Sequence, residues 1–299
     1  MTPSRPPSGR VALVTGASSG IGRVTARDLA ARGDTVVMVS RGGGRGAAVA
    51  EEVRAETGGD VHYLAADLGR LADQRALVEA FRQRFDRLDA LVLNAGAYFA
   101  AREETSDGIE ATWALNHLGA FTPALLLADL LVASAPARVV ITSSDAALMA
   151  RFRWDDLEYR ERYQGWGAYA QSKLANQVVV RELGRRFAGT GVAAHAFHPG
   201  FVATGFGGGD GFMARLIGVA QRFFARTPER GADTMTWLAT ADEALATTGG
   251  YWADRTAKPH ARGARGDEVG PQLWERSLEQ ARVTPAERAA FDRVATAAA

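Results

Sequence analysis

The chain has 299 residues, 47% hydrophobic and 23% charged, and 35 Lys plus Arg against 34 Asp plus Glu leave a net charge of +1. That length can bury a large core as one α/β domain, and the near-neutral balance offers no broad electrostatic footprint for nucleic acid or an anionic membrane. Cysteine is absent, which removes disulfides, thiolate nucleophiles and cysteine-ligated metals, and with no apolar leader and no run of about 18 apolar residues the expectation is a soluble, cytoplasmic protein.

Residues 1–9 read as an N-terminal extension. From Arg10 to about Ala203, short β-branched runs alternate with longer helical patterns, the mark of a parallel sheet covered on both faces. Strands are predicted at Val11–Thr15, Thr35–Ser40, Val61–Ala65, Ala90–Leu93, Arg138–Thr142 and Val192–Phe197. Helices are predicted near Gly20–Arg32, Arg45–Glu56, Leu71–Phe85, Gly108–Val132 and Gly167–Phe187. Right-handed crossovers then wind the sheet both ways from the first strand, giving one doubly wound α/β domain over residues 10–261 whose ligands gather beyond the strands' carboxyl ends.

Two stretches break the rhythm. Asp145–Trp166 sets Arg151, Arg153, Arg160 and Arg162 against Asp155, Asp156, Glu158 and Glu161, and reads as a salt-bridged surface insertion or as a wall of the substrate pocket. Gly205–Gly211 leads into the apolar Phe212–Phe224, and residues 205–226 read as a hinged substrate lid or as a surface loop and helix. Beyond it, Thr227 as N-cap and Pro228 at N1 open a helix to Thr240, and Gly250–Ala253 makes a last strand. Residues 262–299 form a C-terminal tail, helical after Pro271, with no task legible in its residues.

The motifs fall at strand ends. Val11–Thr15 runs into Gly16-Ala-Ser-Ser-Gly20-Ile-Gly22 and then a helix, the order that a dinucleotide pyrophosphate needs. Glycine lets backbone approach the phosphates, and the helix start supplies unpaired N–H groups and a positive dipole end. The spacing is Gly-x-x-x-Gly-x-Gly, not Gly-x-Gly-x-x-Gly. The second strand ends Val39-Ser40-Arg41, so a hydroxyl and a guanidinium stand where a carboxylate would take a ribose 2′-hydroxyl. Arg41, with Arg45 able to share the task, can grip a 2′-phosphate, so NADP(H) is favoured over NAD(H).

Lys173 is one of two lysines, the other being Lys258, in a chain that otherwise uses arginine. Tyr169 lies four residues earlier, on the same face of a helix. An ammonium there can lower a phenol's pKa and make it a usable proton donor and acceptor; arginine substitutes poorly. The alternative is a solvated helical pair. His195 and His198, three apart, point to opposite faces of a strand, and no metal site is expected.

From about Arg10 to Asp254 the chain resembles the short-chain dehydrogenase/reductase family, because several motifs recur in order. Thr15–Gly22 is similar to its cofactor turn, which implies contacts from Gly16, Ser18, Ser19, Gly20, Ile21 and Gly22. Asp67-Leu68 resembles the acidic element that meets adenine, and Asn94-Ala95-Gly96 the Asn-Asn-Ala-Gly element, with Leu93 replacing its first Asn. Thr142 joins the cofactor contacts implied, with Ser40 and Arg41. Pro199, Gly200, Val202 and Thr204 resemble the segment that touches the nicotinamide carboxamide. By the same resemblance, Tyr169 exchanges the proton and Lys173 also holds the nicotinamide ribose. Ser144 bonds the substrate oxygen, with Ser143 the weaker alternative, and Asn116 holds a water through its backbone.

Asn116-His-Leu-Gly, the long Ser144-to-Tyr169 interval and Tyr169-Ala-Gln-Ser-Lys173-Leu-Ala-Asn176 are most similar to the retinol-dehydrogenase-like and protochlorophyllide-reductase-like branch. Pro123, inside the helix that carries Asn116, departs from it. The resemblance implies a single-domain Rossmann fold of about seven parallel strands. It further implies an NADP(H)-dependent oxidoreductase that interconverts an alcohol and a ketone or aldehyde on an apolar or polycyclic small molecule. Carbon–carbon double-bond reduction, epimerisation on the same cofactor site, or NADPH-responsive binding without turnover are the competing readings. A homodimer or homotetramer would form through the helices bearing Asn116 and Tyr169.

Overall fold

Short runs rich in Val, Leu and Ile build a sheet whose central strands are buried on both faces, as parallel strands must be. The computed structural model describes residues 8–200 and 226–296; Val202, Thr204 and all but the last residue of the 205–226 lid lie outside them. In chain order the strands are Val11–Thr15 (β1), Thr35–Ser40 (β2), Val61–Ala65 (β3), Ala90–Leu93 (β4), Ala137–Thr142 (β5), Val192–Phe197 (β6), Gly250–Ala253 (β7) and Thr256–Lys258 (β8). Their spatial order is β3-β2-β1-β4-β5-β6-β7-β8. Seven run parallel, and β8 pairs antiparallel with β7. The winding reverses between β1 and β4, the switch point at which doubly wound sheets hold ligands.

The helices are Gly20–Ala31 (α1), Gly43–Thr57 (α2), Leu71–Arg82 (α3), Ala111–Trp113 (α4), Gly119–Leu126 (α5), Ala128–Ala133 (α6), Gly165–Arg186 (α7), Pro228–Thr240 (α8), Val269–Gln280 (α9) and Pro285–Thr296 (α10). One face of the sheet packs Leu29, Met38, Phe197 and Met235. The other packs Phe81, Trp113, Phe121, Leu174 and Trp274. Burying each such side chain contributes about 1.5–3 kcal/mol, so both helical layers are held by apolar contact.

The helix predicted over Gly108–Val132 is instead broken into pieces. Gly108 has φ +76°, and the buried carboxylate of Glu110 accepts from the N–H groups of Thr112 at 2.8 Å and Trp113 at 2.7 Å, which starts α4 later than the apolar pattern suggests. A π turn follows over Ala114–Leu118. Within α5, Pro123 has no N–H to close onto the Gly119 carbonyl, and Leu127 separates α5 from α6.

The tail belongs to the same core. Trp274 meets Phe121 edge-on at 5.0 Å and lies under the Arg186 guanidinium at 4.1 Å, while Phe291 is 5.7 Å from Phe187. It therefore covers part of α5–α7, the helical surface on which the expectation of a homodimer or homotetramer rested. No helix among the described residues is long and apolar enough to cross a membrane.

Candidate active site

Gly16 and Gly20 turn the chain with φ +65° and +55°, a region that strains any side chain. A Cβ on Gly16 would lie 2.9 Å from Ala95 Cα, and one on Gly22 would lie 2.3 Å from the Gly16 oxygen. The turn is pressed this closely onto the end of β4 because Asn94 ties the two. Its Nδ2 donates to the Thr15 oxygen at 3.1 Å, Thr15 Oγ1 accepts from the N–H groups of Asn94 at 2.9 Å and Ala95 at 3.1 Å, and Thr142 Oγ1 donates to Asn94 Oδ1 at 3.3 Å. Ser19, the N-cap of α1, makes no side-chain cap bond, so the first-turn N–H groups keep no side-chain partner. Ser18 is half-buried beside it, and Ile21 sits in the core with only its backbone to offer.

At the end of β2, Ser40 lies against Tyr63, whose hydroxyl donates to the Ser40 oxygen at 3.1 Å. Gly46 packs on that ring, where a Cβ would stand 2.3 Å from the hydroxyl. Arg41 and Arg45 are exposed and make no ion pair among the described residues. After β3, Asp67 Oδ1 accepts from the Gly69 N–H at 3.0 Å. The Leu68 side chain is buried in the core, leaving only its backbone for a ligand. A Cβ on Gly96 would come 3.0 Å from Asn116 Oδ1 and 3.1 Å from Lys173 Nζ, so a small residue keeps this cradle open.

The catalytic candidates meet at the ends of β4 and β5 and on α7. Tyr169 is half-buried, 5.7 Å from the Trp166 ring and 6.2 Å from that of Tyr98. Burial pushes its pKa up to about 12, and a hydrogen bond with Ser144 opposes the rise. Lys173 Nζ lies 5.7 Å from the tyrosine ring centroid and donates to the Thr142 oxygen at 3.1 Å; burial pulls it down to about 8. The sequence led us to expect an ammonium lowering the phenol, but desolvation dominates both groups. Ser144 also caps a 3-10 turn over Asp145–Met149, accepting from the Ala146 N–H at 3.2 Å. Ser143 is a strut instead, its buried hydroxyl donating to the Lys173 oxygen at 2.8 Å.

Asn116, in the π turn, accepts from the Ala97 N–H at 2.8 Å through Oδ1 and donates from Nδ2 to the Ala97 oxygen at 2.9 Å and Ser172 Oγ at 3.1 Å. Its own carbonyl accepts from Asn176 Nδ2 at 3.0 Å, and that amide also reaches the Thr142 oxygen at 3.0 Å. Pro199 and Gly200 follow β6, with Gly200 at φ +79°. Just before them, His198 Nε2 lies 3.2 Å from Asp145 Oδ2, and Tyr251 donates to Asp145 Oδ1 at 2.8 Å, so the loops after β5 and β6 are braced together.

Sequence reasoning missed Tyr98, Asp145, Trp166, Asn176 and Tyr251. Trp166 and Asn176 were findable, because 166, 169, 173 and 176 share one helical face; Tyr98 and Tyr251 come from distant elements and carry no local signal. Leu148, Met149 and Trp166, 52%, 85% and 54% exposed, are the exposed large hydrophobic side chains among the described residues, and they flank Ser144 and Tyr169 in sequence. Two hollows of about 330 and 300 Å³, one against α10 and one beside β6, hold none of these candidates. The candidate polar groups converge instead at the strand ends. No group of three or more His, Asp or Glu able to hold a metal ion occurs among the described residues.

Comparison with known proteins gives a consistent picture. The model of the family described as short chain dehydrogenase matches residues 10–210. The chain is 39% identical over 272 residues to "Putative daunorubicin C-13 ketoreductase DnrU" of Streptomyces sp. (strain C5), covering 90% of this chain and 91% of that one. It is 36% identical over 276 residues to human retinol dehydrogenase 13, covering 90% and 83%. Among solved structures, a Mycobacterium paratuberculosis protein superposes with a TM-score of 0.75 at 31% identity, over 93% of this chain and 95% of that one. The Pseudomonas aeruginosa RhlG/NADP active-site complex gives 0.66 at 28% identity, over 84% and 96%.

Proposed function

The chain belongs to the short chain dehydrogenase family, and on that premise we propose an NADP(H)-dependent oxidoreductase that interconverts an alcohol and a ketone or aldehyde on an apolar small molecule. The observation that carries this is the meeting of Tyr169, Ser144, Lys173 and Asn116 beside a glycine cradle that a single Cβ would fill. The residues fit a dinucleotide. Gly16, Gly22 and Gly96 leave room for close backbone approach, and Arg41, exposed just after β2, would hold a 2′-phosphate.

A bound nicotinamide supplies or accepts the hydride. In the reducing direction Tyr169 gives its hydroxyl proton to the substrate oxygen as that oxygen gains charge, and solvent returns the proton; oxidation reverses both transfers. The Ser144 hydroxyl donates to the same oxygen. Lys173 keeps an ammonium beside the phenol, and Asn116 fixes the Ala97 backbone and the Ser172 turn around both. Pro199 and Gly200, with Val202 and Thr204, complete the nicotinamide end in this reading. Leu148, Met149 and Trp166 favour an apolar substrate, since exposed apolar surface is stabilised by an apolar ligand.

The named activities of the ketoreductase and retinol dehydrogenase relatives favour carbonyl and alcohol chemistry over double-bond reduction. Residues 10–261 are the catalytic unit in this reading, and the partner is a small molecule, not nucleic acid or membrane. The test is consumption of NADPH and NADH across aldehydes, ketones and enones, with product identification. Saturated carbonyl products from enones would move the reading to double-bond reduction, and nucleotide binding without any turnover would move it to a binding protein.

A further inference from the structure

Behind Lys173 lie three buried polar side chains that the reaction as described does not use. Asn176 is on α7, His117 in the π turn and Ser277 on α9, and they are 2%, 0% and 0% exposed. His117 is wedged between Trp113, 4.4 Å away, and Phe121, 6.1 Å away. Its Nε2 lies 2.8 Å from Ser277 Oγ. Burial holds its imidazole neutral, with a pKa of about 3, against the opposing pull of the Asn176 side chain.

The proton positions follow from the catalytic end outward. The carbonyls of Asn116 and Thr142 can only accept, so the Asn176 amide must turn Nδ2 toward them. Its Oδ1 is then left to face His117. Asn176 Oδ1 and His117 Nδ1 are both buried with no hydrogen-bond partner, and two bare acceptors set close together would repel. A neutral ring resolves this only as the Nδ1–H tautomer, donating to Oδ1. Nε2 must then accept the hydroxyl proton of Ser277, which otherwise goes to the Leu273 oxygen at 2.7 Å.

We propose that Ser277 and His117 act through Asn176 as positioning residues for Lys173, which makes the C-terminal tail a working part of the active site. Asn176 clips the Asn116 and Thr142 carbonyls together, and Thr142 is the carbonyl to which Lys173 donates. The elements packed against Lys173, the segment after β4, β5 and the π turn, present Gly96, Thr142, Ser143, Asn116 and neutral His117; the titratable neighbour is Tyr169 on its own helix. The ammonium is thus held by a polar chain that ends on α9.

The mechanism above is needed only for the kinetic arm of the test. In the full-length protein labelled with ¹⁵N-histidine, His117 should resonate as the Nδ1–H tautomer, assigned by its loss in His117→Phe; an Nε2–H tautomer overturns the proposal. With Lys258→Arg leaving one labelled lysine, Ser277→Ala and Asn176→Leu should lower the Lys173 titration midpoint by about 0.5–1 unit as its acceptor loosens, and Ser277→Thr should restore it. An unchanged midpoint in both variants also overturns it. Turnover should fall about tenfold with nucleotide affinity held within about twofold, the signature of misplacement. If the wild-type protein turns over nothing in the panel, the oxidoreductase reading fails, while the tautomer and the titration still decide the positioning.

Discussion

The two halves of the cleft are built on opposite plans. On the β1–β3 side the protein offers backbone and unengaged donors: a glycine turn, an uncapped helix start and two exposed arginines. On the β4–β6 side the polar side chains are already committed. Asn116, Ser143, Lys173 and Asn176 are each at most 2% exposed and bonded to backbone or to one another. A surface that receives a charged ligand can leave its donors unengaged, because the ligand itself takes them up. A surface that must place one hydroxyl and one ammonium has to be fixed beforehand. Changes on the first side should therefore alter what binds, and changes on the second how fast it reacts.

The largest effect that sharpens this contrast is Tyr169→Phe, expected to cut turnover by about 10²–10⁴ while folding and NADP binding persist. Near-normal turnover in that variant would remove the tyrosine from the mechanism. Lys173→Arg should impair turnover too, because the planar fork cannot occupy the compact ammonium's place. On the other side, Gly22→Ala sets a methyl 2.3 Å from the Gly16 oxygen and should weaken nucleotide binding about 10- to 100-fold, equivalent to about 1–3 kcal/mol of overpacking. Isothermal titration measures it, with thermal unfolding to separate binding from stability.

Arg41→Asp should shift the NADP-to-NAD preference about 10- to 100-fold, since a charged hydrogen bond worth about 1.5–3 kcal/mol is lost and repulsion added. Unchanged discrimination would mean that another residue selects the cofactor. The pH profile is a gentler probe. Burial lowers Lys173 to about 8, so the ammonium is full below that value and lost as pH rises through it, and kcat/KM should fall about tenfold per unit on the alkaline side. A profile flat to pH 10 would detach the reaction from this lysine. Smallest should be Trp166→Ala, a few-fold rise in KM for apolar substrates with nucleotide affinity unmoved.

The seven parallel strands were readable almost residue by residue, because strands buried on both faces must be continuous apolar runs and glycine turns punctuate them; the exposed, three-residue β8 carries no such run and was not read. Ala137 was missed from β5 because it follows Pro136, which hides a strand start. The Gly108–Val132 pattern misled for a different reason. Apolar periodicity reports which face is buried, and it is blind to the Glu110 cap, the π turn and the missing Pro123 donor that divide the helix. The candidates Tyr169, Lys173, Ser144 and Asn116 were named by spacing and resemblance, and the fold brings them together. Tyr98 and Tyr251 could not be named so, since each comes near Tyr169 or Asp145 only through the tertiary fold.

The short β8, exposed along its length, has a use of its own. Asp254 and Arg255 fold it back with φ +51° and +53°, anchored by Arg226 and Asp233, and Pro259 follows at once. At the opposite margin, Arg54 reaches across from α2 to take the Val61 carbonyl of β3. A three-residue edge strand ended by Pro259 at one margin, and a guanidinium on the first carbonyl of β3 at the other, leave a neighbouring copy only a short ladder to extend. Crowded solutions of this protein should consequently resist templated polymerisation, with the sheet finite by construction.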